Sequence, residues 1–288
     1  MTVIAMPREM GSLGKDVALG LAERLDLKLV HHQLVEQDVA ARLDLDTGDV
    51  HRFLEGSPSL LERWKIDEKR LSRYTAEEIL DLAEGGNAMI RGWGATSLLK
   101  TVPHVLRVRV CAPMKFRIRV MMERVGIEDP ALARREIERN DAAHTRTVHR
   151  FFDSDWENPL NYHLVLNSSL LSVESCIEQV AALAADPMFQ DTDATRQALT
   201  DLRIETQIRA AFEASGESGL RGRTIDVAVE GGVVTLSGMT AIDSEIAVAE
   251  ELAAAVAGVT RVDNRIGHAD IQYNVWSMRQ AERISGGK

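Results

Sequence analysis

The chain has 288 residues, 45% hydrophobic and 27% charged, which is ordinary usage for a folded chain with room for one large core or two modest ones. Its formal charge of −10 argues against nucleic acid or an anionic membrane as the main partner, and no apolar run approaches the ~18 to 20 residues that span a bilayer. Two lone cysteines, Cys111 and Cys176, support neither a disulfide framework nor a metal site, and without a basic and then apolar leader the expected address is cytoplasmic.

In chain order, the apolar run Val3-Ile4-Ala5-Met6 predicts a strand, and Val17, Ala18, Leu21, Ala22 and Leu25 recur behind it at helical spacing. Between them lies Pro7-Arg8-Glu9-Met10-Gly11-Ser12-Leu13-Gly14-Lys15-Asp16. A strand, a glycine loop ending in Gly-Lys and a helix form a recipe for holding phosphates: main-chain N–H groups, a helix N-terminus and a point charge converge. Against the P-loop pattern G-x-x-x-x-G-K-[ST], Glu9 stands at the first glycine and Asp16 at the Ser/Thr position. An ordinary strand-to-helix turn with Gly11 and Gly14 as turn formers fits these residues equally well.

A second strand is expected over residues 27–31, a helix over 33–43, and a polar helical stretch over 58–84 anchored by Trp64 and Tyr74. A short strand over 88–90 enters the turn Arg91-Gly92-Trp93-Gly94. A strand over 105–110, helices over 114–124 and 130–152, a strand over 162–167 and a helix over 173–185 complete an alternating pattern. Such alternation predicts an α/β fold, a parallel sheet with helices on both faces and its ligand at the carboxyl ends of the strands. Arg139, Arg146 and Arg150, spaced i, i+7, i+11, share one helix face, and Arg117 and Arg124 share another. Each face also has acids at hand, Glu136, Glu138 or Glu123, so a solvated, paired surface is the competing account. His31, His32 and His104 read as strand-end or structural residues, because no third ligand is placed beside them.

Pro187 and its polar neighbours break the rhythm. We therefore divide the chain into a domain over 1–186, a linker over 187–197, a second domain over 198–270 and a tail over 271–288 containing Trp276. The second domain reads helix, hairpin, helix, strand: a helix over 199–212, β runs over 224–229 and 233–237 joined by Glu230-Gly231-Gly232, an alanine-rich helix over 244–256 and a strand over 259–266.

The first domain resembles the cytidylate kinase-like family, a branch of the P-loop nucleoside monophosphate kinases. The segment from Arg8 to Asp16 is similar to that family's R-E-x-G-S-G-G-[RK]-[ED], in which an acid follows the basic residue. Gly92-Trp93-Gly94-Ala95 stands at its G-R-G-A turn. Asp141, Arg146, Arg150, Phe152, Asp155-Trp156, Pro159 and Tyr162 follow its D-x4-R-x3-R-x-[FY]-x2-D-W-x2-P-x2-Y pattern. The departures are Trp93 in place of an arginine, His31 and His32 at the end of the second strand, and His144 and His149 in the lid segment. The second domain resembles a BON domain, a binding module, through Ile225 to Gly238 and Gly258 to Asn264.

The resemblance implies an ATP-dependent phosphotransferase acting on a nucleoside monophosphate, with a pyrimidine as the guessed acceptor and Mg²⁺ as the metal. It places the donor phosphates on Gly11, Ser12, Leu13, Gly14, Lys15 and Asp16, with Asp16 also a candidate Mg²⁺ ligand. Lys15, Arg146 and Arg150 become the catalytic cations, and Arg91, Trp93, Arg139 and Asp141 the acceptor-binding set. The alternative, from a different class, is a non-catalytic nucleotide sensor or scaffold. The BON module would then engage an unknown ligand or protein, and the sequence is silent on oligomeric state.

Overall fold

The computed structural model describes residues 1–7, 9–30, 32–54, 68–92, 94–217, 220 and 224–269. Arg8, His31, Trp64, Trp93 and Trp276 lie outside the described residues. The chain folds into two compact units, Met1–Leu199 and Thr200–Lys288.

The first unit is built on a five-stranded parallel sheet. Its strands are β1 (Val3–Met6), β2 (Lys28–Val30), β3 (Ala88–Arg91), β4 (Val105–Cys111) and β5 (Leu164–Asn167), in the spatial order β2-β3-β1-β4-β5. Every residue of β1 and β3 is buried, as expected for strands covered on both faces. The register runs from Val3 beside Ala88 to Met6 beside Arg91, so Arg91 closes β3 level with the end of β1. The chain leaves β1 toward β2 on one side and returns to β4 and β5 on the other. The crevice above β1 is therefore the topological switch point, where doubly wound sheets hold ligands.

Helix α1 (Gly14–Arg24) buries Val17, Ala18 and Leu21 against the sheet and packs on the helix Val173–Ala184. Gly20 permits that approach: a Cβ there would lie 2.3 Å from Ile177 Cδ1. The core includes Ile4, Met6, Leu106, Val108, Val110, Leu166, Cys176 and Val180. The helices His32–Leu43, Thr47–Leu54 and Glu68–Gly85 lie between β2 and β3 in the chain; Thr47–Leu54 is additional to the elements expected from sequence. Met114–Val125 and Pro130–Phe152 pack on each other after β4. Asp129 caps the second of these through its carboxylate, which accepts from the Ala131 N–H at 2.8 Å, and Pro130 occupies the first helical position.

Residues 187–197, expected to be a linker, carry a 3₁₀ turn, Pro187–Phe189, and the start of a helix, Asp193–Ala214. Phe189 is 2% exposed and belongs to the first unit's core. The Asp191 carboxylate takes the Met1 ammonium at 3.4 Å and Arg196 at 2.8 Å.

The second unit holds a three-stranded sheet, β6 (Ile225–Glu230), β7 (Val233–Thr240) and β8 (Arg261–His268). β6 and β7 form an antiparallel hairpin, and β8 lies parallel to β7 after the helix Asp243–Ala254. Its core gathers Ile204, Ile208, Phe212, Val227, Val234, Leu236, Ala249 and Ile266. The buried Asp201 carboxylate accepts from the N–H groups of Gly231 and Gly232 at 2.8 and 2.9 Å, which pins the hairpin turn to the helix.

Candidate functional site

The loop between β1 and α1 turns by alternating backbone hands. Gly11 has φ 79° and Leu13 φ 58°, with Leu13 at the N-cap of α1. Glycine at position 11 is required twice over, because a Cβ there would also lie 2.7 Å from the Arg117 carbonyl oxygen. Ser12 is fully buried. Its hydroxyl donates to Glu9 O at 3.1 Å, and its carbonyl accepts from Ser168 Oγ at 2.5 Å. Ser168 follows β5, and its N–H donates to Cys111 O at the end of β4, so the loop is tied to the carboxyl ends of two strands.

This anchoring leaves several of the loop's donors without an acceptor among the described residues. The Gly14 N–H reaches Ser12 Oγ, at 3.4 Å. Among the described residues, no acceptor reaches the N–H groups of Gly11, Leu13 or Lys15. The Lys15 side chain is exposed on the first turn of α1. Open donors, a helix N-terminus and an ammonium suit the oxygens of a polyphosphate.

Asp16 is differently engaged. Its Oδ2 accepts from Arg124 Nη1 at 2.6 Å, which brings together the loop and one of the arginines on the Met114–Val125 helix. Among the described residues, no group of three or more His, Cys, Asp or Glu side chains is placed to hold a metal ion. A magnesium ion at this loop would therefore draw most of its ligands from phosphate oxygens and water, as Mg²⁺ commonly does.

Behind the loop lies a buried charge cluster. Arg117 binds Asp141 in a two-pronged ion pair at 2.8 and 2.7 Å, and its Nε donates to Met10 O at 2.7 Å. Glu9 lies 3.7 Å from both Arg117 and Arg109. Arg109 also donates to Glu157 O at 2.6 Å and sits over the Trp156 ring at 5.1 Å. Burial pushes the Glu9 carboxyl up to about 7; Arg117 and Arg109 pull the other way, and Asp141 and Glu157 add to the rise.

The residues expected at the site are thus sorted into different places. Arg139, Arg146 and Arg150 lie on the exposed side of Pro130–Phe152, with Arg139 paired to Glu136 at 2.7 Å. Asp141 belongs to the opposite, packed side and faces Arg117. Arg91 is 9% exposed at the end of β3. Trp93, at the expected acceptor turn, lies outside the described residues, as do His31 and the side chain of His32. Gly94 beside it is tightly packed: a Cβ there would lie 2.1 Å from Phe152. Several residues of the expected lid pattern do packing work. Trp156 is 1% exposed and donates to Thr145 Oγ1, His144 meets its ring edge-on, and Tyr162 donates to Trp156 O at 2.6 Å.

Glu9, Arg109 and Ser168 are site neighbours that sequence reasoning missed. A usable signal was present in β4, where Arg107 and Arg109 alternate with valines in a strand that is otherwise apolar.

The profile of the cytidylate kinase-like family matches residues 3–170 of this chain. The chain belongs to the cytidylate kinase-like family. Residues 200–267 match the BON domain. Among curated proteins, the cytidylate kinases of Pyrobaculum neutrophilum and Pyrobaculum islandicum are each 24% identical over 180 residues, covering 62% of this chain and 89% of their own length. A crystal structure of an uncharacterized protein from Eubacterium ventriosum aligns with a TM-score of 0.51 at 19% identity, over 64% of this chain and 98% of that one, which supports the fold. The cytidylate kinase-like match includes the loop of residues 9–16. No described helix is long and apolar enough to cross a membrane.

Proposed function

We propose that the first unit binds a nucleoside triphosphate on the loop of residues 11–16 and transfers its terminal phosphoryl group to a nucleoside monophosphate, with a pyrimidine nucleotide as acceptor. The observation that carries this is that, among the described residues, no acceptor reaches the N–H groups of Gly11, Leu13 and Lys15, which are held at the end of the central strand beside an exposed lysine. Family membership supports phosphoryl transfer, and the names of the Pyrobaculum relatives support the pyrimidine acceptor.

Phosphoryl transfer depends on positioning and positive charge. Lys15 would meet the donor phosphates, Arg146 and Arg150 the transferring group, and Arg91 with Trp93 the acceptor. Asp16, which is paired with Arg124, would be the residue available to hold a magnesium ion, and such an ion would supply charge neutralisation at the phosphates. Arg139 and Asp141 would reach the acceptor only by leaving Glu136 and Arg117, so Asp141 fits better as a residue that positions Arg117. The BON unit would regulate the kinase or bind a partner.

A second reading, a nucleotide sensor without catalysis, is favoured by the 2.6 Å pairing of Asp16 with Arg124. Purified protein incubated with ATP, Mg²⁺ and each nucleoside monophosphate in turn separates the two. Diphosphate formation from CMP, UMP or dCMP supports the kinase. ATP binding without transfer to any acceptor supports the sensor.

A further inference from the structure

Glu9 is set two residues before Gly11, with its side chain 5% exposed. Arg109 of β4 and Arg117 of Met114–Val125 lie 3.7 Å away, beyond hydrogen-bonding distance, and Glu9 Oε2 meets no hydrogen-bond partner among the described residues. Arg117 is engaged by Asp141 and Met10 O, and Arg109 donates through Nη1 to Glu157 O while its Nε, like Glu9 Oε2, meets no hydrogen-bond partner among the described residues. A buried carboxylate whose Oε2 is bare among the described residues, and whose Oε1 faces two guanidiniums only at 3.7 Å, is weakly held as a permanent anion.

The remaining groups that act on Glu9 are Asp141 of Pro130–Phe152, Glu157 just beyond that helix, Cys111 at the end of β4 and Tyr162 before β5. Burial pushes the Cys111 thiol up and the Tyr162 hydroxyl to about 12, so neither titrates near neutrality.

The charges of Glu9, Arg109, Arg117 and Asp141 sum to zero when Glu9 is ionised and to +1 when it is protonated. This cluster adjoins the loop: Arg117 holds Met10 O and lies against Gly11. A polyphosphate on that loop brings negative charge toward a weakly screened cluster and favours its +1 state. We propose that nucleotide binding at the loop is coupled to uptake of one proton from solvent by the Glu9 carboxylate, so that Glu9 acts as a positioning residue that sets the charge presented to the phosphates. The proposal rests on the reading of this loop as the phosphate site.

Calorimetric titration of the full chain with ATP and Mg²⁺ at pH 7, in buffers of different ionisation enthalpy, tests it. The apparent enthalpy should scale with the buffer's, reporting uptake of up to about half a proton per nucleotide, because a group half protonated at rest has that much left to gain. ATP affinity should fall several-fold from pH 6.5 to pH 8. In Glu9→Gln, whose amide copies the neutral carboxyl, the wild-type uptake and that fall should both vanish; this variant also subtracts protons exchanged by the nucleotide itself. Should it fail to fold, the wild-type titration is repeated at pH 8, where magnesium-bound ATP has no proton left to release, and buffer-dependent uptake there supports the coupling while buffer-independent heat overturns it. ATP binding with buffer-independent enthalpy, or an unchanged slope in Glu9→Gln, overturns the proton coupling only. Absence of ATP binding at every pH overturns the phosphate-site reading and the coupling with it.

Discussion

Gly11 and Leu13 share a left-handed backbone, at φ 79° and 58°, yet their substitutions should behave oppositely. Gly11→Ala adds about 1 to 2 kcal/mol of backbone strain and drives a methyl group against the Arg117 carbonyl, so a loss of roughly 2 to 4 kcal/mol in denaturant unfolding is expected. Leu13→Gly relieves similar strain, while the freer unfolded chain takes back about 0.4 to 1 kcal/mol, so stability should hold level or rise by up to roughly 1.6 kcal/mol. Glu9 makes a pH-dependent prediction. Between its ordinary value of 4.5 and about 7, the folded chain binds a proton that the unfolded chain has lost, so stability falls as pH rises through that window. Glu9→Gln should be level with wild type near pH 4.5 and more stable at pH 8, by up to roughly 3 kcal/mol; equal pH profiles for the two proteins would contradict the raised carboxyl. The role proposed for Lys15 is legible in a nine-residue window, because it depends on local order. The environment of Glu9 is not, because it is made by Arg109, Arg117 and Asp141, about a hundred residues or more away in the chain.

At the scale of elements, the strand, loop and helix from Val3 to Arg24 were legible because period-2 and period-3.6 patterns meet at a glycine loop. Lys15→Ala should weaken ATP binding about 10- to 150-fold, the worth of one charge-assisted contact of ~1.5 to 3 kcal/mol. Unchanged affinity by calorimetry would remove the loop from the phosphate site. The Pro130–Phe152 helix was legible in its bounds but not in its division of labour. Spacing alone groups Arg139, Arg146 and Arg150, and the packing of Ala133, Ile137, Ala143 and Val148 leaves that face exposed, whereas Asp141 turns inward to Arg117. Arg150→Ala should therefore cut turnover strongly and leave ATP affinity within a few-fold, since a cation acting on the transferring group matters most in the transition state. A parallel loss of ATP affinity would instead place Arg150 in resting-state binding.

For the whole molecule, the two units keep separate cores, one around β1 and β4, the other around β6 and β7. A change of composition after residue 186 marks the transition between them, but Phe189 and Asp191 show where the first unit's contacts continue. Pro187 suggested a break, and it opens a 3₁₀ turn that delivers Phe189 into the first core. Asp191, its side chain 4% exposed, then gathers the Met1 ammonium and Arg196. A fragment of residues 1–186 removes all of this, and loss of the Phe189 ring alone should cost about 3 to 5 kcal/mol. A fragment of residues 1–199 keeps the turn, the ion pairs and the buried Leu199. It should unfold cooperatively in denaturant and bind ATP as tightly as the intact chain. Asp201→Ala in the intact chain, which strips two N–H groups of the β6–β7 turn of their acceptor, should lower the stability of the second unit by roughly 2 to 4 kcal/mol and leave ATP affinity unchanged. If the 1–199 fragment loses ATP affinity while folded, or Asp201→Ala weakens ATP binding, nucleotide binding depends on the second unit and the division of chemistry from recognition is wrong.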